Sequence, residues 1–145
     1  MEIVAKSLTE TENFARTLLA NLKTTDRATV LALYGDLGSG KTTFTQFLAK
    51  ELGVANYVTS PTFVIEKRYQ TKNSTFKTLI HIDCYRLTKP DEMLHLNWSE
   101  IIANPANLIV VEWPERIESI LPEDAIKIEF EFVDENTRKI RVKGK

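Results

Sequence analysis

Gly35-Asp36-Leu37-Gly38-Ser39-Gly40-Lys41-Thr42 decides the fold of this chain. It satisfies G-x-x-x-x-G-K-[ST] and stands between two segments of contrasting pattern. Before it, Thr29-Val-Leu-Ala-Leu-Tyr34 is too uniformly apolar for a surface strand and reads as a central strand covered on both faces. After it, Phe44, Phe47, Leu48 and Leu52 recur at spacings of three and four, predicting a helix from Lys41 that Gly53 can stop. A strand, a glycine-rich turn and a helix in that order make a cradle for phosphate. Gly35 and Gly40 permit backbone angles and close approach that a side chain would block, and the helix turns its positive end toward the anion. Asp36, Leu37, Gly38, Ser39 and Thr43 contribute main-chain N–H groups to the same ring. The ammonium of Lys41 can reach terminal phosphates, and the Thr42 hydroxyl is a hard oxygen ligand suited to nucleotide-bound magnesium.

Working outward, residues 2 to 5 read as a short edge strand. Thr9 and Glu12 form a Thr-x-x-Glu capping box for a helix carrying Phe14, Leu18, Leu19 and Leu22. Thr62 to Tyr69 and Phe76 to Asp83 predict an antiparallel hairpin around a polar loop, and Asp91 to Leu96 a short helix after Pro90. Leu108 to Glu112 is a second buried strand. Ile126, Ile128, Phe130 and Phe132 alternate, turn at Asp134-Glu-Asn136 and return through Ile140 and Val142, a ribbon expected at a sheet edge. The fold class is therefore α/β, of the P-loop NTPase kind: a mixed central sheet flanked by helices, with a C-terminal β-hairpin, in one domain over 1–145.

Composition narrows the function. With 19 Lys+Arg against 20 Asp+Glu the chain has no positive field to gather nucleic acid, so any RNA contact is expected through partners. Cys84 is the only cysteine, which rules out an internal disulfide, and no apolar run is long enough to cross a bilayer. The first residues lack the apolar core of a secretory signal, so the cytoplasm is the expected location.

Phosphate chemistry also needs an acid at the end of a neighbouring strand, and two are present. Glu112 closes the more apolar strand and is favoured for the magnesium shell and for orienting water. Asp83 is the second candidate, supporting the metal through a water. A solvated carboxylate at a strand end is the alternative for either one. Thr59-Ser60-Pro61-Thr62-Phe63 follows the P-loop helix where related folds sense the terminal phosphate; Thr62 or Ser60 can supply a hydroxyl there, and an ordinary proline-stiffened turn is the competing reading. Thr88-Lys89-Pro90-Asp91 matches [NT]-K-x-D, the guanine-reading pattern, but no D-x-x-G segment precedes it, so it reads as a turn into a helix. His81, two residues from Asp83, can tune that acid or serve as a structural histidine. Cys84 reads as a buried filler, and His95 as part of a helix. Lys67, Arg68, Lys72 and Lys77 gather on one hairpin with Tyr69 and Phe76, either as a solvated basic face or as a contact for RNA or protein.

The loop motif, Ser60-Pro-Thr-Phe63, His81-Ile-Asp-Cys-Tyr-Arg-Leu87 and Val111-Glu-Trp-Pro-Glu115, in that order, resemble the bacterial TsaE (YjeE) family over nearly the whole chain. The resemblance implies an ATPase acting with the partners TsaD and TsaB in making threonylcarbamoyladenosine, the modified base beside the anticodon of certain tRNAs. It implies ATP and magnesium (Mg2+) as ligands, and adenine rather than guanine. It implies Lys41, Thr42 and Glu112 at the phosphates and metal, Asp83 and Thr62 nearby, and Trp113 beside them. Thr9 and Glu10 are the candidates for the adenine. None of the scattered arginines stands out as a built-in finger, so turnover is expected to be slow until a partner completes the site. Two other readings of the same loop are a small-molecule kinase and a nucleotide-gated assembly module without obligatory hydrolysis.

Overall fold

The computed structural model describes residues 1–36, 38–55, 58, 66–94 and 97–143. Leu37 and the segment with Ser60, Pro61, Thr62 and Phe63 lie outside the described residues, as do His95 and Leu96. The chain runs β1 (Glu2–Ala5), α1 (Leu8–Asn21), β2 (Thr29–Tyr34), α2 (Lys41–Glu51), β3 (Glu66–Gln70), β4 (Thr78–Asp83), α3 (Asp91–Leu94), α4 (Trp98–Ala103) and β5 (Asn107–Glu112). A 3-10 helix over Pro114–Ile120, then β6 (Ile126–Asp134) and β7 (Thr137–Lys143), complete it.

All seven strands join one mixed sheet in the order β1-β7-β6-β2-β5-β4-β3. Parallel ladders link β2 to β5, β2 to β6 and β4 to β5; antiparallel ladders link β1 to β7, β6 to β7 and β3 to β4. Because side chains alternate across a strand, each central strand feeds two cores. Leu31 and Leu33 of β2, Leu79 of β4 and Leu108 and Val110 of β5 face Phe14, Leu18, Phe44 and Leu48 of α1 and α2. Val30, Ile80, Ile82, Ile109 and Val111 point the other way, onto Met93, Trp98, Ile101 and Ile117. Burial on both faces explains why Thr29–Tyr34 and Asn107–Glu112 read as continuous apolar runs. Phe44 ties the first core together, its ring 5.6 Å from that of Phe14 and 5.4 Å from that of Phe130. The helix after the glycine loop is thereby fixed against α1 and β6 at once. Gly53 follows its C-cap with φ 78°, the left-handed stop that the sequence implies.

Several expected elements move. The C-terminal ribbon is not at the sheet edge: β6 pairs in parallel with β2 and buries Ile126, Ile128 and Phe130, while β1 covers β7 and takes the edge. Within the second hairpin, β4 begins at Thr78 rather than Phe76. Asn73 Oδ1 accepts from the amides of Thr75 and Phe76 and holds them in a turn. Two short helices, α4 and the 3-10 helix, had no clear periodic signal. The first helix is capped by Ser7, not Thr9: the Glu10 amide donates to Ser7 Oγ at 3.2 Å, and Glu10 Oε2 accepts from the Lys6 amide at 3.0 Å. The two overlapping S/T-x-x-E patterns, Ser7 with Glu10 and Thr9 with Glu12, are equivalent on paper. The extended backbone of Ser7 decides between them, since an N-cap must stand outside the helix.

Ser7→Ala should therefore lower the unfolding free energy by about 1 kcal/mol. Thr9→Ala should change it by less than about 0.5 kcal/mol. Urea melts of the two variants check this assignment, and equal losses would overturn it.

Candidate functional site

Three main-chain facts build the site. Gly35 has φ 144°, and a Cβ placed there would meet the Phe130 carbonyl at 2.6 Å and Ser39 Oγ at 2.7 Å. The loop thus leaves β2 in a path closed to any other residue. The Ser39 amide closes a turn onto the Asp36 carbonyl at 3.1 Å. Gly40 then opens α2 at φ 107° with no side-chain cap, which leaves the first-turn amides facing outward with the helix dipole behind them. Ser39 Oγ is buried without a hydrogen-bond partner among the described residues. An anion with several oxygens fits such a cradle.

Lys41 is 5% exposed. Its ammonium donates to the Gly35 carbonyl across the loop and lies 4.3 Å from the centroid of the Trp113 ring. Burial lowers its pKa, with Glu112, Glu115, Asp83 and Asp36 pulling the other way. A cation held this way, partly stripped of water, is poised for a stronger anionic partner.

The acids come from the sheet. Asp83 and Glu112 are register partners at the ends of β4 and β5, so their side chains leave the same face next to each other. Both are buried, and Asp83 Oδ1 accepts from the Tyr85 amide at 2.9 Å. The Cys84 amide bonds the Glu112 carbonyl at 3.0 Å and carries the β4–β5 ladder one step past the acids. Cys84 is the buried filler expected, its thiol pushed up to about 12 by burial and then by Asp83 and Glu115. Directly after Glu112 the chain turns through Trp113 at φ 57°, a left-handed conformation unusual for a large residue. This turn brings the indole back over Lys41, where Tyr85 packs on it with ring centroids 5.1 Å apart.

A cavity of about 420 Å³ gathers these groups: Gly38, Gly40, Lys41, Thr42, Thr43, Asp83, Tyr85, Glu112, Trp113 and Arg138 line it. Its lining combines a buried cation, a helix N-terminus, a hydroxyl and two carboxylates. Hard oxygens in that number fit magnesium shared with a phosphate. Gly35, Asp36 and Ser39 do not line this cavity and border a neighbouring one walled by Phe130 and Phe132 of β6. Leu37 and Thr62 are outside the described residues, so their proposed roles carry no geometry. A smaller cavity of about 140 Å³ shares Gly40, Thr43 and Arg138 with the first and is otherwise walled by Ser7, Leu8, Thr11, Phe130 and Ile140, with hairpin-turn residues. Thr9 and Glu10 do not line it, Glu10 being committed to the helix cap.

The structure adds one contributor that the sequence reading missed and changes the partner of another. Arg138 reaches both cavities from β7, its Nη1 anchored on the carbonyls of Asp134 at 2.6 Å and Thr137 at 3.0 Å. Nothing local marks it among the arginines, because only the sheet order carries β7 to the loop. His81 bonds Glu112, not Asp83. On the basic hairpin Tyr69 and Phe76 are buried in the core, so neither offers a stacking surface. The guanine-like segment is a turn, with the amide of Thr88 spent on Glu92 at 3.2 Å.

The family model described as "Threonylcarbamoyl adenosine biosynthesis protein TsaE" matches residues 5–140. A relative from Aquifex aeolicus, named tRNA threonylcarbamoyladenosine biosynthesis protein TsaE, is 40% identical over 143 residues, 97% of this chain and 94% of its own. A Bacillus subtilis protein of the same name is 37% identical over 131 residues, covering 90% and 77%. Among solved structures, the crystal structure of Bacillus subtilis YdiB superposes with a TM-score of 0.76 at 30% identity, over 97% of this chain and 82% of that one. Among the described residues no helix is long and apolar enough to cross a membrane.

The lowered pKa of Lys41 means that its charge is held at a cost to the fold. Lys41→Met should leave the melting temperature of the ligand-free protein unchanged or raised, while weakening triphosphate binding by about 100-fold or more. Calorimetry and thermal melts read the two effects separately. Retained affinity would remove the cavity as the nucleotide site.

Proposed function

Since this chain belongs to the TsaE family of threonylcarbamoyladenosine biosynthesis proteins, we propose that it is a magnesium-dependent ATPase that supports this tRNA modification in complex with TsaD and TsaB. The observation that supports the reading is the 420 Å³ cavity, lined together by Lys41, the uncapped N-terminus of α2, Glu112 and Asp83.

In this reading the triphosphate lies along the loop, its oxygens taken by the main-chain amides and by Lys41, which leaves the Gly35 carbonyl to reach them. Thr42, Glu112 and Asp83 would hold magnesium, which supplies neutralisation of phosphate charge. Glu112 aims a water in line with the terminal phosphorus; in such reactions positioning and charge stabilisation account for most of the acceleration. The Trp113 indole covers one side of Lys41 and limits water there. The base is directed into the smaller cavity, where Leu8, Phe130 and Ile140 offer apolar surface and Ser7 and Thr11 offer hydroxyls. This replaces Thr9 and Glu10 as the adenine contacts. Arg138 stands where the two cavities join, but its anchorage to the hairpin turn keeps it from acting as a mobile finger. A partner must therefore complete the charge stabilisation. The net charge of −1 supports tRNA contact through the complex and not through this chain alone, and a tRNA-modifying role supports a cytoplasmic location.

Isolated protein should hydrolyse ATP slowly and accelerate by more than about tenfold when TsaB and TsaD are added. Glu112→Gln should bind Mg-ATP but lose about 100-fold or more in hydrolysis. Phosphate release measured with and without the partners tests both. Equal rapid rates, or transfer of the terminal phosphate to an organic acceptor, would refute the reading. Glu112→Gln that still supports tRNA modification would favour an assembly module gated by binding alone.

A further inference from the structure

His81 is 0% exposed within β4, opposite Val110 of β5. Its Nε2 lies 2.5 Å from Glu112 Oε2, and Glu112 is itself only 4% exposed. Its Nδ1 is buried without a hydrogen-bond partner among the described residues. An imidazole is an expensive choice here. On its face of the sheet His81 stands between Lys67 of β3 and Val110 of β5, with Leu79 and Asp83 before and after it on β4; Leu79 and Val110 belong to the apolar core, and an aliphatic side chain there would leave no ring nitrogen orphaned. What the imidazole adds is a donor aimed at one oxygen of a carboxylate that lines the Lys41 cavity.

A glutamate needs such a donor if it is to aim anything. Rotation about its last side-chain bond is broad, so neither oxygen has a fixed place without an outside contact. The neighbouring Asp83, its register partner, adds a like charge that favours swinging away. Asp83 has its own tether, the Tyr85 amide. Glu112 has His81.

We propose that His81 is a positioning residue for Glu112: by donating from Nε2 to Oε2 it fixes the carboxylate so that the other oxygen faces the cavity beside Lys41. The inference rests on the assignment of Glu112 as the group that aims water. His81 does not line the cavity and acts only through the glutamate, as supporting partners of ligating or catalytic carboxylates do.

The test compares His81→Leu, His81→Gln and His81→Asn in single-turnover hydrolysis, alongside Mg-ATP affinity and thermal melts. The glutamine amide nitrogen reaches the place of Nε2, and that of asparagine stops short of it. His81→Leu should lose about 10- to 100-fold in rate, with affinity changed by less than about threefold. His81→Gln should keep most of the rate, and His81→Asn should resemble the leucine variant. A leucine variant at the wild-type rate, rate and affinity falling together, or equal losses in glutamine and asparagine would overturn the proposal. If the leucine variant does not fold, the glutamine and asparagine pair decides alone. Glu112→Gln is assayed in parallel: a normal rate there sinks the glutamate assignment itself, whereas a slow Glu112→Gln beside a normal His81→Leu sinks only this inference. His81→Leu added to Glu112→Gln should cost nothing more, and a multiplied loss would also overturn it.

Discussion

A single ammonium group, that of Lys41, stands almost wholly out of water at the top of the sheet, and the surrounding architecture follows from the need to hold it there. Its contacts are the Gly35 carbonyl across the loop and the Trp113 ring beside it, and the charges of Glu112 and Asp83 act on it from adjacent strands. None of these is local in sequence except Gly35. Each demands something of the backbone: a glycine-only path past Phe130, a left-handed tryptophan, and two strands in register so that the acids emerge together. Strain of this kind costs on the order of 1–3 kcal/mol per residue and persists only where the surrounding packing over-determines it. Here the packing is the two-sided core, which fixes β2, β4 and β5 from both faces.

The sheet's topology does the assembling. Parallel β2, β5 and β4 point their ends in one direction, so loop, Glu112 and Asp83 converge at one edge, the usual place for a ligand in an open α/β sheet. The antiparallel ribbon β6–β7 then inserts between β2 and β1 and supplies the remaining wall through Phe130, Arg138 and Ile140. Tyr34, the last residue of β2, donates to Glu118 Oε2 at 2.9 Å, and Glu118 in turn binds Lys127 at 3.0 Å. The 3-10 helix that follows Trp113 is thus pinned to the strand that carries the loop and to β6.

Much of this was legible in the order of residues. The glycine loop, its flanking strand and helix, the acids at two strand ends and the C-terminal hairpin are all carried by short-range patterns, and those patterns correspond to the elements found. What could not be read depends on pairing between distant segments. The alternation of Ile126, Ile128 and Phe130 states that one face is buried but not which strand lies beside it, so the ribbon was placed at the edge. Arg138 looks like any exposed arginine until β7 is brought to the loop. His81 is two residues from Asp83 in sequence, yet its partner is Glu112, 31 positions away across a ladder. The choice of Ser7 over Thr9 turned on one extended residue, a distinction no spacing rule makes.

The insertion of the last ribbon into the sheet also governs when the cradle can exist during synthesis. Residues 35–42 leave the ribosome early, but the carbonyl that seats Gly35 belongs to Phe130, and the strand that flanks β2 on that side begins at Ile126. Until that strand is made, the glycine loop stands with one wall missing. The seating of Gly35 thus waits on the stretch from Ile126 to Phe130, although the motif itself is complete at Thr42.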